Sequence, residues 1–158
     1  MKNNLLLPNK YKKIGWYILI PSTVLGIFIS LTGFETEWLN VKVFAILYDR
    51  IFDESKMFSF VKADITNTVT GVLFLIGAML VGFSKEKTED EFISELRLSS
   101  LLWSVWINYV LLFFAFIFIY GIPFFTVMVY NMFTVMIIFI ARFNYILYKN
   151  SKLMSDEK

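Results

Sequence analysis

The sequence predicts an all-α integral membrane four-helix bundle, N-in and C-in, with an external amphipathic helix and a cytoplasmic extension of the third span. Three observations predict it. First, residues 14–34, 65–84 and 101–141 carry no charged side chain, and Gly121-Ile122-Pro123 breaks the last run into two. Crossing a hydrocarbon core of about 30 Å takes about 20 apolar residues, close to the length of each of the resulting spans at 14–34, 65–84, 101–120 and 123–142. Second, the 158 residues are 58% hydrophobic and 18% charged, whereas soluble domains are about half apolar and a quarter charged. Third, the basic residues are asymmetric. Lys2, Lys10, Lys12, Lys13, Lys85, Lys87, Arg97, Arg142, Lys149, Lys152 and Lys158 fall on one side. Segment 35–64 carries Lys42, Arg50, Lys56 and Lys62, outnumbered by Glu35, Glu37, Asp49, Asp53, Glu54 and Asp64. Cytoplasmic segments are the ones enriched in Lys and Arg, so both termini are placed in the cytoplasm.

The organisation that follows is a basic arm at 1–13, one transmembrane domain over 14–148, and a tail at 149–158. The first run exceeds the length of a secretory signal core, and bulky Leu31 and Phe34 flank any cleavage point, so it reads as an uncleaved span. Pro21 is expected to kink it. Ser22-x-x-x-Gly26-x-x-x-Ser30 in this span and Ala78-x-x-x-Gly82 in the second are small-residue stripes that let helix backbones approach closely.

External segment 35–64 is expected to be helical. Lys42, Ala45, Asp49 and Asp53 recur at helical spacing, with Val43, Phe44, Leu47, Tyr48 and Ile51 on the remaining arc. Residues 56–63 suggest a further short helix. Such a segment lies on the outer leaflet or over the mouth of the bundle, and either covers the bundle end or forms a ligand- or partner-binding cap. Asp64 or Thr66 then caps the second span.

In the link 85–100, Thr88 and Glu91 fit a capping box. A helix starting there and running to Gly121 spans about 32 residues and roughly 48 Å, about three turns beyond the membrane. Two readings of this stalk stand. Its apolar side packs on the bilayer interface or on the extended end of the fourth span through Phe143, Ile146 and Leu147, or it docks a partner through Glu91, Phe92, Glu95, Leu96 and Arg97.

Within the spans, Ser100, Ser104 and Asn108 share one helix face, as do Asn131 and Thr134. Asn108 and Asn131 fall near one depth, where a cross-helix amide bond is expected. Arg142 either snorkels to the interface or is held by Glu95, Ser99 or Ser100. No acidic residue lies inside any span, which argues against a carrier working through a membrane carboxylate.

The absence of Cys and His removes thiolate and imidazole chemistry and their metal sites. Of Glu89, Asp90, Glu91 and Glu95, the three adjacent members do not converge on one helix face, so capping explains them better than a cation site; no metal and no cofactor are expected, and no catalytic residue is singled out. The net charge of +2 gives no expectation of nucleic acid. Residues 89–97 (EDEFISELR), 130–134 (YNMFT) and 142–145 (RFNY) resemble segments of small four-span inner-membrane proteins of Bacteroidota-type bacteria. That resemblance implies an inner-membrane location and no particular activity. The expected role is a non-enzymatic accessory, assembly or signal-relay subunit acting through the stalk and the external cap. Its expected partners are membrane lipids, a membrane or cytoplasmic protein, and further copies of the chain. Two other classes stay open: a small oligomeric transporter or pore built around Ser104, Asn108 and Asn131, and a lipid-modifying enzyme.

Overall fold

A computed structural model of the chain describes residues 6–32, 38–50 and 53–156, with side chains described outside 47–57 and 153–156. The elements in order are α1 (Lys10–Leu31), β1 (Asn40–Arg50), β2 (Asp53–Asp64), α2 (Thr66–Gly82), α3 (Glu91–Phe118) and α4 (Ile122–Asp156). Helices α1, α3 and α4 are long and apolar enough to cross a membrane; α2 is apolar but shorter, at 17 residues. Their large apolar side chains are widely exposed, for example Leu31, Trp106, Phe118 and Ile122. A soluble protein rarely leaves so much contiguous apolar surface in water. Lys2, Glu35, Glu37 and Lys158, four of the charges behind the expected topology, lie outside the described residues.

The chain divides into two compact units, Met1–Tyr17 with Leu75–Lys158, and Ile18–Phe74. In the first, α3 and α4 pack side by side, joined through Ile119, Tyr120 and Gly121. Gly121 sits at φ +74°, a left-handed conformation that glycine adopts without a Cβ clash. The core collects Ala78 and Val81 from α2 with Phe139, Ile140 and Phe143 from α4. Close approach explains two glycines. A Cβ on Gly82 would lie 2.7 Å from Phe139 Cε1, and one on Gly15 would lie 2.9 Å from the Val81 backbone nitrogen. The arm is pinned as well: Leu7 N–H donates to Phe83 O at 2.9 Å, and Lys85 N–H donates to Leu7 O at 2.8 Å. Helix α1 therefore starts at Lys10 and absorbs part of the expected 1–13 arm.

In the second unit, the segment between α1 and α2 corrects the expected amphipathic helix. It is an antiparallel hairpin in which Val41 pairs with Ala63, Val43 with Val61, Phe44 with Phe60 and Ala45 with Ser59. The short helix expected at 56–63 is likewise part of β2. The physical reason lies in residue type: Val41, Val43, Phe44, Ile46, Phe58, Phe60 and Val61 are β-branched or aromatic and fit a pleated ladder. Lys42, Ala45, Asp49 and Asp53 fitted a helical spacing over too short a window to exclude a period of two. The turn residues 51–52 lie outside the described residues.

The hairpin root is clamped. Asp64 Oδ1 accepts from Leu39 N–H at 3.3 Å, Thr66 N–H at 3.1 Å and Thr66 Oγ1 at 2.6 Å. Leu39 O accepts from Ile65 N–H at 3.1 Å. Trp38 stacks on Phe28 with ring centroids 5.9 Å apart. Pro21 lies inside α1, and next to it Ser22 Oγ donates to Ile18 O and Leu19 O while Thr23 Oγ1 donates to Leu19 O. These bonds go to carbonyls three and four residues back in the same helix, the usual back-bonding of Ser and Thr.

Candidate functional site

Among the described residues, a group of interacting charges forms where the chain leaves α2 and enters α3. Ser84, fully buried, ends the α2 turn, and the link folds back so that Glu86 N–H donates to Glu89 Oε2 at 2.9 Å. Helix α3 is capped by Asp90, whose Oδ1 accepts from Ile93 N–H at 2.8 Å. This corrects the expected Thr88–Glu91 capping box and shortens the helix to 28 residues. Glu89 is drawn away from capping by Arg97, whose Nη1 donates to Glu89 Oε1 at 2.7 Å and whose Nη2 donates to Ser84 O at 3.2 Å. Lys12 of α1 pairs with Glu86. Both cations lie over the Phe143 ring, Arg97 at 5.1 Å and Lys12 at 5.8 Å from its centroid. Two cations and two carboxylates thus neutralise one another around a buried ring, and a buried charge is tolerated when it is paired in this way. Arg97 Nε and Ser100 Oγ, one turn apart, are buried without a hydrogen-bond partner.

This arrangement divides the expected docking residues. Glu91, Phe92 and Glu95 are exposed, whereas Leu96 and Arg97 are each 8% exposed and belong to the packed interior. Leu96 and Arg97 are therefore corrected as docking residues. Burial of Arg97 follows from Glu89 and Phe143, neither of which stands at a helical spacing from it that sequence alone would flag. Leu98, which the sequence reading passed over, is exposed and shares a face with Glu91 and Glu95 at helical spacing.

Deeper in the first unit, Asn108 and Asn131 join α3 to α4 through both amides, each Nδ2 donating to the other's Oδ1 at 3.1 Å. Ser104, fully buried, donates to Leu101 O in its own helix, and Thr134 donates to Tyr130 O in its own. Arg142 Nη1 donates to Ser99 O at 2.7 Å, and its guanidinium lies 5.1 Å from the Trp103 ring centroid. Ser22 and Ala78 are buried at 2% and 0% exposure, while Gly26 is looser, with a Cβ there meeting only Thr70 Cγ2 at 3.9 Å. Ser30 completes the first stripe at intermediate burial. Among the described residues no group of three or more acidic side chains is placed to hold a metal ion.

Sequence reasoning missed Lys12–Glu86, the place of Phe143 between cations, and Gly15. Only Gly15 left a signal, as a lone small residue between Ile14 and Trp16. No family model, no curated protein and no solved structure matches this chain.

Proposed function

We propose that this chain is a four-span inner-membrane protein with both termini in the cytoplasm, serving as a non-enzymatic accessory, assembly or signal-relay subunit. Helices α1, α3 and α4 have the required length. Helix α2 makes the fourth span: its 17 residues rise about 26 Å, a shortfall that local bilayer thinning accommodates at modest cost. The basic arm, link and tail then share the cytoplasmic side.

One observation carries the functional reading. The inner charges Lys12, Glu86, Glu89 and Arg97 are spent on one another, while Glu91, Phe92, Glu95 and Leu98 form an open acidic and apolar stripe on the first turns of α3. A rigid helix start fixed by its own cap presents such a stripe at low ordering cost. The partner it suits is a basic, partly apolar helix or segment. An oligomeric pore is less supported, since Asn108 and Asn131 satisfy each other.

A photo-crosslinking residue placed at Phe92 or Leu98 in native membranes tests the reading. The expected result is one defined adduct that is absent from a probe at exposed Tyr148 and lost in Glu91→Lys/Glu95→Lys. Adducts that are identical at all three positions, or that survive the charge reversal, would remove the docking role.

A further inference from the structure

The hairpin carries an arrangement that its own fold does not explain. Lys42 and Lys62 are direct cross-strand partners, both exposed, and among the described residues neither has a carboxylate partner. Like charges placed opposite each other destabilise a ladder. Alternation puts Phe44 and Ile46 on the same face as Lys42, and Phe60 and Phe58 on the same face as Lys62. All four apolar side chains are more than half exposed. The rings nevertheless cluster, Phe44 lying 5.4 Å from Phe60 and 6.5 Å from Phe58 between centroids. Phe58 holds this place at φ +49°, a costly conformation for an aromatic residue and one that tends to persist where function requires it. Neither strand packs broadly against a helix, and a lone two-stranded hairpin is marginal in water.

We propose that this face of the hairpin binds the membrane interface, with Lys42 and Lys62 gripping the phosphate of an anionic lipid headgroup and Phe44, Ile46, Phe58 and Phe60 entering the acyl boundary. The proposal rests on the reading that α2 enters a bilayer. Only Ile65 separates the end of β2 at Asp64 from the start of α2 at Thr66, so covalent continuity holds the hairpin at the bilayer edge. Paired ammonium groups beside aromatic rings match that zone chemically: phosphates neutralise the like charges, and aromatic side chains favour headgroup depth. A soluble anion would match the lysines alone and leave the aromatic patch in water.

The chain has no cysteine, so single introduced cysteines label cleanly. The full chain is reconstituted in nanodiscs of phosphatidylcholine, with and without phosphatidylglycerol. An environment-sensitive dye is placed at Ile46→Cys, at Ala45→Cys on the opposite face, or at Leu111→Cys within α3. Lipids spin-labelled near the headgroup are expected to quench position 46 more than position 45, and severalfold more when phosphatidylglycerol is present. Lys42→Gln/Lys62→Gln should remove that enhancement, each lysine contributing about fivefold in partition toward an anionic surface. Equal quenching at 45 and 46, or an enhancement that survives the double lysine variant, overturns the proposal. So does a response at 46 to inorganic phosphate in neutral detergent that equals the lipid effect, or protection that appears only with two copies per disc. Position 111, read with chain-labelled lipids, separates the two readings. If it is quenched while 46 is not, the lipid grip fails and the span stands; if it is not quenched, the membrane reading itself fails.

Discussion

Asn108 and Asn131 donate to each other at 3.1 Å in both directions, so each amide supplies the other's donor and acceptor across α3 and α4. Lipid offers no hydrophobic drive for two apolar helices to associate, which leaves packing and such bonds to hold them. Replacing either residue by Leu should cost about 0.6 kcal/mol and at most about 2. The double variant should lose less than the sum of the singles, because each single leaves an amide unmatched. Thermal unfolding of the four proteins in one detergent measures the coupling.

Glu89→Gln should be more damaging than its partial exposure suggests. The Arg97 side chain is 10% exposed and would keep its charge with Ser84 O, the Phe143 ring and a neutral amide facing it but no carboxylate. Breaking a buried pair costs about 3–5 kcal/mol, and the exposure of Glu89 lowers the expectation to about 2. Arg97→Met in the same background should recover part of the loss, since it removes both the stranded charge and the unpartnered Nε. Detergent-phase melting of the single and double variants measures the difference.

The glycines make a graded series. Gly15→Ala and Gly82→Ala would each place a Cβ inside 3.0 Å of a packed neighbour, the Val81 backbone and the buried Phe139 ring. Overpacking of this kind costs about 1–3 kcal/mol. Gly26→Ala meets nothing closer than 3.9 Å and should be neutral or gain up to about 1 kcal/mol from helix propensity. The melting temperatures of the three variants should therefore split two against one, and an equal loss at Gly26 would contradict the packing described.

Asp64 gives the hairpin root a pH dependence. Its carboxyl is held below the usual range, first by the hydrogen bond from the Thr66 side chain and further by the backbone amides of Thr66 and Leu39. A lowered folded-state value means that the clamp contributes fully at neutral pH and is lost as pH falls below about 4. Thr66→Ala should move the transition upward toward the ordinary carboxylate value. Fluorescence of Trp38, stacked on Phe28 beside the clamp, followed with hydrogen exchange at Leu39, reads it.

What was legible in the sequence follows from the range of the forces involved. Charge-free runs report a solvent and need no partner, so α1, α3 and α4 were visible directly. The amides of Asn108 and Asn131 were visible because Gly121 fixes the turn and a constant rise per residue sets their depth. The hairpin was not, since Lys42, Asp49 and Asp53 suit a helix as well as a strand until Val61 and Ala63 are known to face Val43 and Val41. Arg97 misled for a similar reason: a charged residue near a helix start reads as solvated until Glu89 and Phe143 are seen to enclose it.

The link between α3 and α4 bears on biogenesis. Ile119, Tyr120 and Gly121 carry no charge, and only this short uncharged backbone would have to be translocated for both helices to enter a bilayer. The two rods can thus leave the insertion machinery together, their amides already matched, so that neither Asn108 nor Asn131 ever faces acyl chains alone.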